Sequence, residues 1–237
     1  MNIGGILAGG TGSRMAHADL PKQFMEIGGV PILVRTVRRF LQIDRFDHII
    51  IAMNEHYLDY ARELLLKNSI DMGNIEIILG GSSRFESLLC LCRKAQELCP
   101  DGEECILLNH DCARPFVSQQ ILLENLDRIR EYDMVTTSLP TIDTVLISED
   151  GKTGTRVPDR HTIFCDQGPQ VIRVGHFLEL VNSLTDEEKL KYIEAGRLYM
   201  EKGFRVGICT GNRMNFKITN MFDLTVAECL VRENPDL

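Results

Sequence analysis

Several common signatures are absent from this 237-residue sequence, and each absence excludes a class of protein. No apolar run approaches the roughly 20 residues that a membrane-spanning helix needs, so we expect no contact with a membrane. The basic residues form no cluster and the formal net charge is −8, which argues against a nucleic-acid-binding surface. No repeat, linker or low-complexity tract interrupts the chain, so we expect one domain over residues 1–237.

The eight cysteines show neither zinc-site spacing nor the pattern of a small disulfide-bonded domain. Cys90 and Cys92 are separated by one residue, and no second Cys or His pair with zinc-like spacing follows. Several cysteines lie inside apolar runs, and no signal-peptide pattern is present at Met1. We therefore expect reduced thiols in the core of a cytoplasmic protein.

Short β-branched runs alternate with amphipathic stretches in the first half of the sequence. Strands are predicted at 2–7, 48–53, 75–79 and 105–108, and helices at 32–42, 57–67, 85–98 and 119–132. Four such alternations predict an α/β fold with a mostly parallel sheet flanked by helices. Ligands of such sheets bind beyond the carboxyl ends of the strands.

The alternation stops after a predicted strand at 134–139. Residues 141–165 carry apolar positions at period two on both sides of a polar turn at 148–155, which predicts a β-hairpin arm projecting from the sheet. A helix at 186–202, a strand at 204–209 and a helix at 221–232 are predicted to follow.

A glycine-rich turn follows the first predicted strand, and Arg14 and Lys22 lie beyond it. Glycines permit left-handed backbone and a close approach of amide groups to an anion, while Arg and Lys suit phosphate oxygens. The turn lacks the Gly-Lys-Ser/Thr end of a P-loop, and Met15 stands where a dinucleotide fingerprint needs a third glycine. We therefore predict a site for the polyphosphate of a free nucleotide, the alternative being a turn without a ligand. The glycines concerned are Gly9, Gly10 and Gly12.

A second glycine-rich motif occupies residues 80–87, after the third predicted strand. Gly80 and Gly81 would let the backbone approach a flat ligand, and the hydroxyls of Ser82 and Ser87 could read a base edge. A loop that only caps the next helix is the alternative.

Charged residues near two later strands complete the candidate site. Asp111 follows the fourth predicted strand, where a carboxylate beside a polyphosphate suits Mg²⁺, although a salt bridge to Arg114 is the alternative. His110 is either a base or an imidazole hydrogen-bonded inside the loop. Lys217 is predicted on a short strand over 215–219, opposite its apolar neighbours, and a solvent-facing lysine is its alternative role.

Together these segments resemble the cytidylyltransferases that make CDP-activated alditols, namely the methylerythritol-phosphate and ribitol-phosphate enzymes. The resemblance implies a Rossmann-like α/β sheet with a β-arm that reaches across a homodimer. It also implies a reaction that joins CTP to a small alditol phosphate with Mg²⁺ and releases pyrophosphate. The matching stretches are 7–23, 80–87, 110–115, 142–144, 159–160 and 215–219, which together extend over nearly the whole chain.

The resemblance also implies roles for individual residues. Arg14 and Lys22 would stabilise charge on the CTP phosphates, and Asp111 would lie at the metal. Arg114, Thr144 and Arg160 would bind the alditol phosphate, the last two from the partner subunit's arm. The catalytic set would be Arg14, Lys22, Arg160 and Lys217, and the nucleoside would be surrounded by Ala8, Gly9, Gly10, Gly81, Ser82 and Ser87.

Departures from the family pattern concentrate in the alditol half of the site. Gly168 stands where many relatives have Thr, and Cys112 where they tend to have Ala. The stretch 142–145 lacks the Lys that often follows in methylerythritol-phosphate enzymes, and residues 110–119 and 139–148 look closer to ribitol-phosphate enzymes. Both observations favour a pentitol phosphate such as D-ribitol 5-phosphate over 2-C-methyl-D-erythritol 4-phosphate. A sugar-1-phosphate nucleotidyltransferase and a catalytically inactive CTP-binding protein are further alternatives.

Overall fold

A computed structural model describes residues 1–10 and 20–235 of the chain. Its strands are β1 (Asn2–Leu7), β2 (Glu26–Ile27), β3 (Val30–Pro31), β4 (His48–Met53), β5 (Ile75–Leu79), β6 (Ile106–Asp111), β7 (Met134–Pro140), β8 (Phe164–Arg173) and β9 (Val206–Thr210). Its helices are α1 (Ile32–Leu41), α2 (Leu58–Lys67), α3 (Arg84–Leu98), α4 (Gln119–Arg128), α5 (Val174–Asn182), α6 (Asp186–Lys189), α7 (Ala195–Glu201) and α8 (Met221–Glu233).

Seven strands form the main sheet, in the order β5-β4-β1-β6-β8-β7-β9. Among the seven strands described for this sheet, only β8 runs antiparallel to its neighbours, so the sheet is mostly parallel, as predicted. The two short strands β2 and β3 pair antiparallel in a separate sheet. The chain moves outward from β1 to β4 and β5, then returns to place β6 on the other side of β1. The carboxyl ends of β1 and β6 therefore meet at a topological switch point, where α/β sheets bind ligands.

Apolar side chains bury both faces of the sheet. One face packs against α1, α4 and α8 through residues such as Val37, Leu122 and Ala227. The other face packs against α3, α5 and α7 through residues such as Leu91 and Phe177. Helices on both faces explain why the central strands are almost entirely buried.

The predicted arm is present as the connection between β7 and β8, but it is less regular than a β-hairpin. One antiparallel bridge, Ile147 with Arg156, closes its turn within the described segment. Asp150 organises the turn, because its carboxylate accepts hydrogen bonds from the Lys152 and Thr153 amides, and these bonds lower the pKa of Asp150 to about 2.

Three other predictions need correction. The helix predicted at 186–202 is two helices, because the backbone of Glu194 is extended and its side chain accepts hydrogen bonds from the first amides of α7. The strand predicted around Lys217 is extended chain without a strand partner among the described residues. The fourth strand continues to Asp111, so His110 and Asp111 belong to β6 rather than to the following loop. Within residues 1–10 and 20–235, no helix has the length and apolar character needed to cross a bilayer.

Candidate active site

A cleft of about 330 Å³ opens at the switch point between β1 and β6. Three loops converge there, because β1, β5 and β6 all end at the same edge of the sheet and Leu7 pairs with Asp111. Three cations and one carboxylate are among the described residues that line the cleft, although the whole chain is acidic. Such a cleft favours an anionic ligand. Its charged residues are Lys22, Arg84, Asp111 and Lys217.

The first loop leaves space beside its glycines. Gly9 and Gly10 line the cleft, and a Cβ built on Gly10 meets nothing within 4 Å, while one on Gly9 comes no closer than 3.8 Å to protein. Neither residue has a positive φ, so the predicted left-handed backbone is wrong at these two positions. What the glycines provide is an open surface that a ligand can approach. The buried Gln23 amide fixes the loop by donating to the Ala8 carbonyl at 2.9 Å.

The second loop is held by its own hydrogen bonds. A Cβ on Gly81 would lie 2.2 Å from the Glu86 Cβ, so only glycine fits against the first turn of α3. The Gly81 amide donates to Ser87 Oγ at 3.1 Å, and Ser82 donates through its amide and hydroxyl to Glu86. Gly81, Ser82 and Ser87 all line the cleft beside Gly9, as the sequence predicts for a nucleoside site.

Asp111 is the centre of the charged cluster. Arg84 Nε donates to its Oδ1 at 3.1 Å, and Lys217 Nζ donates to its Oδ2 at 2.6 Å. Arg114 Nε lies 3.9 Å from Oδ2. The Asp111 side chain is 13% exposed, and burial alone would raise its pKa, but Arg84 and Lys217 outweigh that effect and hold the pKa well below its usual range. Asp111 is therefore an anion at neutral pH.

Asp111 is the single described carboxylate that lines the cleft, and the described residues contain no cluster of three or more metal-binding side chains. Mg²⁺ in phosphate-binding sites commonly takes one or two carboxylates and completes its shell with phosphate oxygens and water. Both Asp111 oxygens already accept from cations. The residues fit an ion held mainly by a triphosphate, with Asp111 as its protein ligand.

The chain segment 215–219 carries Lys217 and also contacts Lys22. Lys22 Nζ donates to the Ile218 carbonyl at 3.3 Å, and the Ile218 amide donates to the Ala113 carbonyl at 2.8 Å. This segment therefore brings the two lysines, predicted independently from distant motifs, to one cleft.

His110 and Arg114 lie next to Asp111, at the edge of the cleft. His110 is fully buried with Nε2 3.1 Å from the Arg114 carbonyl, and burial lowers its pKa to about 4. Of the two roles predicted for His110, the structure therefore favours a neutral, hydrogen-bonded imidazole over a base. Arg114 donates to the Asn215 carbonyl at 2.8 Å, and burial lowers its pKa.

The remaining predicted residues divide into two groups. Arg14 and Gly12 lie outside the described residues. Thr144 and Arg160 are exposed on the arm and do not line the cleft of their own chain.

Arg84 and Gln23 were missed by sequence reasoning, although Arg84 lies inside the 80–87 motif. The position of Arg84 at the start of a helix, where cations are disfavoured, was the available signal.

Comparisons with known proteins find relatives of this chain in both sequence and structure. The sequence model of the family described as IspD, 2-C-methyl-D-erythritol 4-phosphate cytidylyltransferase, matches residues 4–233. The chain is similar to the structure titled 4-diphosphocytidyl-2C-methyl-D-erythritol synthase from Anaerococcus prevotii, with a TM-score of 0.80, 23% identity and 98% of both chains covered. It is also similar to 2-C-methyl-D-erythritol 4-phosphate cytidylyltransferase from Thermus thermophilus, with a TM-score of 0.75, 25% identity, and 98% of this chain and 100% of that chain covered. The Francisella tularensis enzyme of the same name gives a TM-score of 0.76 and 20% identity over 97% and 99% of the two chains.

Proposed function

Because this chain belongs to the 2-C-methyl-D-erythritol 4-phosphate cytidylyltransferase (IspD) family, we propose that it joins CTP to 2-C-methyl-D-erythritol 4-phosphate. The products would be 4-diphosphocytidyl-2-C-methyl-D-erythritol and pyrophosphate. The chain is a CTP-dependent nucleotidyltransferase of this family, and the observation that carries the choice of acceptor is the family match over residues 4–233.

The comparisons do not support the pentitol phosphate that the sequence led us to favour. That preference rested on the absence of a Lys after residues 142–145 and on the likeness of residues 110–119 and 139–148 to ribitol-phosphate enzymes. Residues 142–145 lie on the arm rather than in the cleft. A sequence feature of an exposed loop is weak evidence for a substrate, whereas the family match covers the strands and loops that build the site.

The chemistry requires charge stabilisation rather than a general base. An acceptor phosphate monoester has a second pKa near about 6, so at neutral pH it is already mostly a dianion. One of its oxygens attacks the α-phosphorus of CTP, and the electrons of the bond between the α-phosphorus and its bridging oxygen leave with pyrophosphate. The residues must hold two anions together and stabilise a crowded, negatively charged transition state.

The cations of the cleft suit this task. We assign Lys22, with Arg14, to the CTP phosphates, and Lys217 to the phosphate at the reacting centre. The space beside Gly9 and Gly10 and the hydroxyls of the 80–87 loop would hold the nucleoside, together with Ala8. Arg114 would bind the acceptor phosphate from its place beside Asp111.

We assign Mg²⁺ to Asp111 and the triphosphate. When bound, the ion would neutralise part of the phosphate charge and orient the triphosphate. Asp111 would hold it, while Arg84 and Lys217 keep that carboxylate ionised.

We also propose a homodimer in which the arm of each subunit completes the site of its partner with Thr144 and Arg160. Large apolar side chains are exposed along the arm, which favours their burial against a second copy. Ile142, Leu146, Val157 and Phe164 belong to this set. The eight free thiols suit a reducing cytoplasm, and we propose that residues 1–237 act as one domain there.

A pyrophosphate-release assay tests the function. The purified chain is given CTP and Mg²⁺ with 2-C-methyl-D-erythritol 4-phosphate, D-ribitol 5-phosphate or a sugar 1-phosphate in parallel. We expect the highest kcat/KM with methylerythritol phosphate. A higher value with ribitol phosphate would overturn the acceptor, and CTP binding without pyrophosphate release from any acceptor would overturn catalysis.

A further inference from the structure

Arg84 occupies an electrostatically unfavourable place in its helix. It is the first residue of α3, directly after the capping residue Ser83, whose side chain accepts a hydrogen bond from the Glu86 amide. The positive end of the helix dipole disfavours a cation there. The position therefore needs a compensating partner, and α3 itself does not provide one for Arg84 among the contacts of the described residues.

The partner lies across the cleft. Arg84 starts a helix that follows β5, whereas Asp111 ends β6, and two other strands separate β5 from β6 in the sheet. α3 packs across β4 and β1 and touches β6, so the Arg84 side chain reaches Asp111 Oδ1 at 3.1 Å, while Lys217 holds Oδ2 of the same carboxylate at 2.6 Å. Arg84 and Lys217 thus contact opposite oxygens of one buried anion.

We propose that Arg84 is a positioning residue for the transfer reaction: by holding Asp111 Oδ1 it fixes the carboxylate that orients Lys217, and so links the nucleoside loop to the reacting centre. This inference rests on the proposed function of the same cleft. It assigns to Arg84 no contact with either substrate, only the orientation of a lysine that makes one.

The nucleoside loop does not depend on the Arg84 side chain. Its hydrogen bonds run from the Gly81 amide to Ser87, from Ser82 to Glu86, and from the Glu86 amide to Ser83. None of these involves the guanidinium. Removing the side chain should leave CTP binding nearly unchanged while Lys217 loses its fixed orientation, so the effect should appear in kcat rather than in the KM for CTP.

The first experiment measures pyrophosphate release by Arg84→Ala with CTP and methylerythritol phosphate. We expect kcat to fall about tenfold to a hundredfold, as misplacement of a reacting group does, with the KM for CTP changed by less than about threefold. Arg84→Lys keeps the charge without the fork and should recover part of kcat; it also serves as the readout should Arg84→Ala fail to fold. Arg93→Ala is the matched control, since Arg93 is exposed on the same helix.

The second experiment is a double-mutant cycle with Lys217→Ala. If Arg84 acts through Lys217, adding Arg84→Ala to Lys217→Ala should lower kcat by less than about twofold further. Multiplied losses, or a KM for CTP that rises while kcat holds, would overturn the inference, as would an Arg84→Ala enzyme with wild-type kcat. Failure of the proposed function would look different, because the wild-type chain would then release no pyrophosphate with this acceptor.

Discussion

Asp111 and His110 are consecutive residues of β6 with opposite electrostatic surroundings. Asp111 remains charged because Arg84 and Lys217 contact its two oxygens. His110, on the other face of the strand, makes no ion pair within residues 1–10 and 20–235 and is fully buried, so desolvation keeps it neutral. Since a carbonyl can only accept, Nε2 must carry the hydrogen that it donates to Arg114.

The neutral His110 predicts a pH dependence of stability. Its pKa is about 4 in the folded protein and about 6.5 in an unfolded chain, so between these values the unfolded chain binds more protons. The stabilisation is present above about pH 6.5 and is lost as the pH falls through about 4, an effect of about 3 kcal/mol.

Chemical denaturation of the wild type and of His110→Gln, in EDTA from pH 7.5 to 4, measures this effect. Gln can still donate to the Arg114 carbonyl but does not titrate, so its free energy of unfolding should fall less steeply over this range. Parallel curves for the two proteins would show that His110 is not held neutral. His161→Gln, on the exposed arm, is the control.

At this scale the sequence predicts residue types better than contacts. Lys22 and Asp111 could be placed from their motifs, because a polyphosphate site needs cations and a hard oxygen ligand at strand ends. Lys217 was placed at the site only by the family resemblance. Arg84 could not, because its partner is determined by how α3 crosses the sheet. For Asp111 the sequence left open a metal ligand or a salt bridge to Arg114. In the structure its two shortest salt bridges are made with Arg84 and Lys217, and they keep the carboxylate in the ionised form that a metal ligand needs.

Among the elements, the extended segment 215–219 connects the most parts of the site. Asn215 donates from Nδ2 to the Gly168 carbonyl of β8 and accepts from Arg114, while Lys217 reaches Asp111. Farther along, Thr219 is tied to Asp223 at the start of α8. Among the described residues this segment has no strand partner, and it is held by these side-chain contacts together with the backbone bond from Ile218 to Ala113.

Asn215→Ala tests that reasoning. Asn215 is fully buried, so its loss leaves the Gly168 carbonyl without that donor and should lower the free energy of unfolding by about 1–3 kcal/mol. Activity should fall further than stability explains, because Lys217 and the Arg114 contact lie on the loosened segment. Urea denaturation and pyrophosphate release measure the two effects, and Asn182→Ala, at an exposed helix end, should change neither.

The elements that the sequence did not predict have identifiable causes. Gly168 and Pro169 lie inside β8, although both residue types weaken strands, and the sheet accommodates them beside a register shift between Thr136 and Ser138 of β7. The split of the predicted helix at 186–202 arises from Glu194, which Gln170 of β8 contacts at 2.9 Å. Both depend on tertiary partners, whereas the βαβ units follow from local periodicity alone.

For the whole molecule, the proposed homodimer concerns the two arm residues that we assign to the acceptor. The described cleft holds Lys22 and Lys217, but Thr144 and Arg160 are exposed on an arm that does not line it. A symmetric dimer would resolve this, because each arm would then reach the partner's cleft and cover its own exposed apolar residues. The proposal predicts that two differently damaged subunits can repair each other.

Lys22→Ala and Arg160→Ala should each abolish most pyrophosphate release as homodimers. In a mixed dimer, the cleft of the Arg160→Ala subunit keeps its Lys22 and receives the intact arm of the Lys22→Ala subunit. The other cleft lacks both residues, so about half of the wild-type activity should return. The two variants are coexpressed with different tags, and the doubly tagged dimer is purified and assayed. Arg156→Ala, on the same exposed arm, is the control and should be active alone. Only an arm that crosses between subunits can supply the residue that the other chain lacks. A mixed dimer as inactive as its parents would therefore contradict the proposed exchange of arms, and would mean that Arg160 acts within its own subunit or outside the site.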